Sequence, residues 1–188
     1  MTGIDIPGET EGIITSETDF EASGRDWYWG DTAHMTIGQG YVAVTPLELV
    51  VAVAAIANGG TINTPHLVKE IQGSTYAPAT VPEAPVKATG IVSEASLQIV
   101  REGMLGTVFN EGGTAPLLRD LPVRVAGKTG TAQHDKSKPD HAWFISFAPY
   151  DDPKIATVVL VEEGGEGAAA AVPVTKEILS WYFTNRSN

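Results

Sequence analysis

The sequence predicts an α+β fold in which a small antiparallel sheet is covered by helices. Two observations carry that prediction. Trp143 to Ala148 and Ile155 to Val161 are apolar runs of strand length, joined by the short turn Pro149-Tyr150-Asp151-Asp152-Pro153, so they form an antiparallel hairpin. Three segments elsewhere carry helical start signals or helical composition.

In chain order, residues 1–40 are rich in Gly, Thr, Asp and Glu and show no sustained period. They read as loops with a short helical turn. Trp27-Tyr28-Trp29 is expected to anchor this region to the core rather than to bind a ligand. The first clear helix begins after Thr45, a good N-cap. Pro46 suits the first helical position and Glu48 completes a capping box. Leu49, Val50, Val53, Ala54 and Ile56 make it apolar nearly all round, hence buried, and Asn58-Gly59-Gly60 ends it.

Residues 61–72 read as extended. Residues 73–90, with Pro78, Pro82 and Pro85, read as a loop or irregular extended stretch. Ser93 caps a second helix whose Leu97, Val100, Met104, Leu105 and Val108 share a face, ending near Asn110. Val123 through Gln133 reads as a strand. The run Ile155 to Val161 is so uniformly apolar that it should be covered on both faces. Gly164-Gly165-Glu166-Gly167 is a loop. An Ala-rich helix then runs to about Phe183, leaving a frayed tail from Asn185 to Asn188.

The 188 residues have the length of one domain, and 43% hydrophobic content suffices for a core. The formal charge of −11 argues against nucleic-acid binding, which needs a basic face. With no cysteine, disulfides and thiol chemistry are excluded. No apolar run approaches the ~20 residues of a membrane span, and the N-terminus lacks signal-peptide character. His34, His66, His134 and His141 show no metal-ligand spacing, so neither a metal nor another cofactor is expected.

The chemistry-bearing segment is Lys128-Thr129-Gly130-Thr131. Gly127-Lys128-Thr129 also resembles the tail of a phosphate-binding loop. That motif needs a glycine where the chain has Pro122, and the preceding segment is strand-like, so the nucleotide reading is rejected. A cationic amine beside a hydroxyl on a rigid edge strand can hold a peptide carboxylate by charge-assisted hydrogen bonds. Such an edge can also pair with an extended peptide and aim a backbone N–H at a developing oxyanion.

Lys-Thr-Gly is one of three motifs of penicillin-recognising serine acyltransferases. The other two, Ser-x-x-Lys and Ser-x-Asn, are not found. No serine here has a lysine three residues later or an asparagine two residues later. Further segments carry the resemblance in order along nearly the whole chain. They are Thr2-Gly3-Ile4-Asp5-Ile6-Pro7-Gly8-Glu9, Ile37-Gly38-Gln39-Gly40-Tyr41 with Thr45-Pro46, and Ala57-Asn58-Gly59-Gly60 with Pro65. Gly113-Thr114-Ala115, Ala126 to Gln133 and Phe147-Ala148-Pro149 follow. Together they resemble the C-terminal part of the transpeptidase domain of class B penicillin-binding proteins. Trp27-Tyr28-Trp29-Gly30-Asp31-Thr32 is similar to the cell-elongation subtype.

The resemblance implies the penicillin-binding/serine β-lactamase-like transpeptidase fold, with residues 1–188 as one portion of a single domain that is incomplete at its N-terminal side. It implies D,D-transpeptidation of peptidoglycan stem peptides ending in D-Ala-D-Ala, with β-lactams as inhibitors and a membrane glycosyltransferase as partner of the parent protein. That parent would be anchored in the cytoplasmic membrane with its catalytic domain outside. By the same resemblance, Lys128 supplies charge to the substrate carboxylate and tunes the proton relay. Thr129 and Thr131 hydrogen-bond that carboxylate, and Gly130 permits close approach. The Thr131 N–H forms half of the oxyanion hole. Gln133 lies further along the binding strand, and Asp5, Gly38, Gln39 and Gly40 are scaffold. The nucleophile is expected before Thr2, so the chain alone should form no covalent penicillin adduct, and the sheet face opposite the C-terminal helix should lack part of its cover. Two other readings share the Lys-Thr-Gly strand: a segment of a serine β-lactamase or β-lactam sensor, and a non-catalytic peptide-binding module.

Overall fold

A computed structural model describes residues 1–73, 75, 80–81 and 85–186. Pro78 and Pro82 of the proline-rich stretch lie outside the described residues. The chain begins with β1 (Ile13–Ile14), α1 (Glu17–Ala22), α2 (Trp29–Thr36) and β2 (Val42–Ala43), with β1 and β2 paired antiparallel. The sequence reading allowed only one helical turn here. Both helices are too short to show a period, and local capping starts them instead. The Ser16 hydroxyl accepts from the Asp19 N–H at 3.2 Å, and the Asp19 carboxylate accepts from the Ser16 N–H at 2.7 Å. Trp27 does anchor the region, packing edge-on to Phe20 and tilted against Tyr41. Its neighbour Trp29 points outward and is 90% exposed.

Next come α3 (Pro46–Ala57), β3 (Ile62–Asn63), β4 (Val86–Ala88) and α4 (Glu94–Phe109). The caps fall at Thr45 and Ser93 as the sequence predicts, and the Thr45–Glu48 box is reciprocal. β3 and β4 form a second small antiparallel pair.

The main sheet has the order β5 (Ala126–Ala132), β6 (His141–Ala148), β7 (Ile155–Val161), antiparallel throughout. β5 starts three residues later than the sequence suggests, and Gln133 lies one residue past its end. The closing helix α5 (Gly167–Asn185) takes in Gly167 and Asn185, which the sequence reading gave to the loop and the tail. Asn185 donates its side-chain amide to the Trp181 carbonyl, which extends the last turn.

Alternation along the strands sorts the core onto two faces. On one, Ala142, Phe144, Ala148 and Val159 pack with Ala171, Val172 and Leu179 of α5. On the other, Ala126 and Phe147 pack with Val53 and Ala57 of α3 and Met104 of α4. Two helices therefore close this second face around Phe147, while Lys128 at its β5 edge stays exposed. Arg101 of α4 fastens that layer. Its guanidinium donates to the Ile56 and Ala57 carbonyls at the end of α3 and to the Tyr150 carbonyl, and lies over the Phe147 ring.

Candidate active site

β5 is an edge strand, so one of its sides has no strand partner among the described residues. Lys128 and Gly130 sit in register with Ile145 and Trp143, on the Phe147 face; Thr129 and Thr131 sit on the α5 face. The carboxamide of Gln39 donates through Nε2 to the Thr131 carbonyl at 3.2 Å. That carbonyl therefore faces the open edge. The N–H and C=O of one strand residue point to the same side, and residues two apart share it. The N–H and C=O of both Thr129 and Thr131 accordingly line the edge.

Lys128 is exposed, and its ammonium donates to the Thr129 carbonyl at 2.7 Å. It forms no ion pair among the described residues, so its positive charge at the edge is uncompensated. The Thr129 hydroxyl shares a hydrogen bond of 2.8 Å with the Thr114 hydroxyl. Thr114 is placed by the turn after α4, where the Gly113 N–H reaches the Asn110 carbonyl and the Ala115 N–H reaches the Thr107 carbonyl. A side chain at Gly130 would press on the Trp143 Cβ at 3.1 Å. Gly130 thus lets the strand lie flat over the indole's base.

The structure brings Lys128, Thr129, Gly130 and Thr131 together at one edge. It leaves Gln133 exposed and without a hydrogen bond among the described residues. Asp5 accepts from the Leu67 and Val68 N–H groups at 2.8 and 3.2 Å, tying the N-terminal segment to the chain after β3. Those two bonds hold its carboxyl below the usual range. Gln39 does more than frame the site, because it touches the strand itself. Thr114 was legible only as part of a matching segment, and its contact with Thr129 arises from tertiary packing.

The four histidines, scattered in sequence, include one spatial pair. His134 and His141 stack with ring centroids 3.9 Å apart, and His141 Nδ1 accepts from the Glu163 N–H at 3.0 Å. No group of three metal-ligating side chains occurs among the described residues.

An α+β domain whose exposed edge strand presents lysine, threonine and main-chain donors has the architecture of a penicillin-recognising acyltransferase wall. Residues 1–180 match the penicillin binding protein transpeptidase domain, and the chain belongs to that family. It is 36% identical to the peptidoglycan D,D-transpeptidase MrdA of Haemophilus influenzae, over 98% of this chain and 31% of that protein. It is similar to the penicillin-binding protein PBP2 of Helicobacter pylori solved in complex with MreC. There the TM-score is 0.76 and the identity 32%, covering 97% of this chain and 33% of that one. It is also similar to penicillin-binding protein A of Mycobacterium tuberculosis solved as its penicillin G acyl-enzyme. The TM-score is 0.64 and the identity 33%, over 79% of this chain and 34% of that one. The chain thus spans about a third of the length of the relatives it matches, and the relatives carry transpeptidase and PBP2-type names. No helix among the described residues is long and apolar enough to cross a membrane.

Proposed function

We propose that this chain supplies the carboxylate-binding and oxyanion wall of a peptidoglycan D,D-transpeptidase of the cell-elongation type. The observation that carries this reading is the open β5 edge, where the outward main-chain groups of Thr129 and Thr131 stand beside the uncompensated Lys128 ammonium. A stem peptide ending in D-Ala-D-Ala lies along that edge as an added strand. Its terminal carboxylate meets Lys128 and the Thr129 and Thr131 hydroxyls.

A serine outside these residues attacks the penultimate D-Ala carbonyl, losing its proton to a neighbouring base. The carbonyl oxygen becomes an oxyanion, and the Thr131 N–H stabilises it. The C–N bond then breaks. The terminal D-Ala leaves as an amine that takes up a proton, and an acyl ester stays on the serine. The amine of a second stem attacks the ester, forms the cross-link and returns the proton to the serine. β-Lactams enter the first half of this sequence and stop at the ester. The parent protein acts outside the cytoplasmic membrane, where this substrate is, alongside a membrane glycosyltransferase that supplies the glycan strands.

The test is a chimera in which residues 1–188 replace the matching third of the Haemophilus influenzae relative. The folded chimera should be labelled by a fluorescent penicillin on one serine, and Lys128→Ala should slow labelling about a hundredfold. The 188-residue chain alone should remain unlabelled. Labelling at an unchanged rate in a folded Lys128→Ala chimera would remove the proposed role of the β5 edge.

A further inference from the structure

Of the carbonyls on the open side of β5, those of Thr129 and Thr131 each hold a side-chain donor. Lys128 covers its neighbour Thr129, while Gln39 reaches Thr131 across 92 residues of sequence. We propose that Gln39 is a gate on the peptide-binding edge. Its carboxamide occupies the Thr131 carbonyl until the backbone N–H of an extended peptide substrate replaces it. The proposal rests on the reading of β5 as the edge that pairs with peptide.

The chemistry of the exchange is matched. A primary carboxamide and a peptide unit are both neutral amide donors, so replacing one by the other on the same acceptor conserves the number and type of hydrogen bonds. An unpaired strand edge invites unwanted pairing, and a side-chain cover reduces that risk while no substrate is bound. Lys128 differs in kind, because an arriving carboxylate draws its ammonium away by charge. Gln39 feels no such pull and leaves only if a competing donor takes its place.

The local backbone defines what moves. Gln39 sits between Gly38 and Gly40, whose φ angles of 74° and 71° lie in the left-handed region that suits glycine. The loop is closed on α2 by the Gly38 N–H on the Met35 carbonyl and the Gln39 N–H on the His34 carbonyl, both at 3.0 Å. Gly40 approaches so closely that a side chain there would meet the His34 Cβ at 3.1 Å. The main chain at Gln39 is therefore held, and the half-buried side chain opens by rotating about its own bonds. The gate is a rotamer change, on the ps–ns to ns–μs scale of side chains and loops, and requires no loop opening.

The experiment titrates the 188-residue chain with diacetyl-L-lysyl-D-alanyl-D-alanine and follows Thr131 and the Gln39 side-chain amide by NMR. The Gln39 NH₂ signals should move to free-carboxamide positions as the Thr131 amide and carbonyl shift. Gln39→Ala, and the length-matched Gln39→Met that cannot donate, should each bind the peptide about two- to tenfold more tightly, the range one net hydrogen bond supplies. Equal or weaker binding by both folded variants overturns the gate alone and leaves the peptide edge standing. Gln39 signals that stay put while Thr131 responds do the same. Failure of every chain to bind, with Thr131 unmoved, removes the peptide-edge reading and the gate with it.

Discussion

Gly167 begins α5 where the helix meets the strand of the site. A Cβ there would lie 2.6 Å from the Gly130 carbonyl oxygen and 3.2 Å from the Gly130 nitrogen, and would also collide with the Trp143 carbonyl. All three obstacles are backbone, so no side chain can rotate away. Gly167→Ala should therefore push the helix start off β5 and β6, at a cost of about 1–3 kcal/mol typical of overpacking. Thermal unfolding checks the loss, and NMR shifts at Gly130 and Trp143 check its location. Unchanged stability with unshifted Gly130 would show that α5 does not press on the site strand. The sequence reading placed Gly167 in a loop, because a glycine needed for close approach looks the same in sequence as one needed for a turn. Lys128 to Thr131 were legible for the opposite reason, since four contiguous residues carry their chemistry on one strand. Gln39 and Thr114 act on that strand from distant segments, and only folding sets their distances.

At the scale of elements, the N-terminal segment is held by carboxylates more than by burial. Glu48 of α3 accepts from the Thr45 and Gly12 N–H groups, both at 2.9 Å. Glu9 accepts from the Thr2 hydroxyl and from the Thr2 and Gly3 N–H groups. Asp5 ties the segment to Leu67 and Val68. These bonds lower all three pKa values, with the Thr45 N–H the main cause for Glu48, the Thr2 hydroxyl for Glu9 and the Leu67 N–H for Asp5. A carboxyl whose folded value is depressed stabilises the fold fully above its unfolded value and loses that contribution as pH falls through the folded one. The ordinary values are 4.5 for the two glutamates and 3.8 for Asp5. Amide exchange of residues 2–14 should therefore be insensitive to structure loss from neutrality down to about pH 5, then lose protection as acid approaches about pH 3. The amides of β6 should hold over the same interval. Glu48→Gln should flatten the response at Gly12, and a Gly12 amide equally protected at both ends would contradict the mechanism. The sequence showed Glu48 as a capping residue because its partner is three positions away. Its second bond, to Gly12, joins segments 36 residues apart and has no local signature. The two-residue strands β1 and β2 have no local signature either, being too short to alternate, while β3 and β4 are two and three residues of stretches that read as extended or irregular.

Across the whole molecule, order is unevenly supported. The fully buried large side chains Phe144, Phe147, Leu118, Leu179, Val125 and Val172 belong to the sheet, α5 and their connections, with Val53 and Val108 closing from α3 and α4. Most exposed large apolar residues precede Arg101, among them Ile13, Ile14, Trp29 and Ile37. The hairpin and α5 were legible because a long apolar run, a short turn and a helix follow one another in sequence. The layering of α3 and α4 onto Phe147 was not, since an all-apolar helix gives no sign of which surface it meets. Cooperative units of different stability follow from this distribution. Amides of Ile145, Phe147 and Val159 should exchange only with global unfolding, sharing one denaturant slope. Those of Ile13, Ile62 and Val86 should exchange by local opening with little denaturant dependence. The exposed apolar side chains of the first unit should also bind a hydrophobic dye without unfolding the second. Native-state hydrogen exchange across a denaturant series decides the matter. One common slope for both groups, with no dye bound, would mean that the early elements are as firmly packed as the sheet that carries the site.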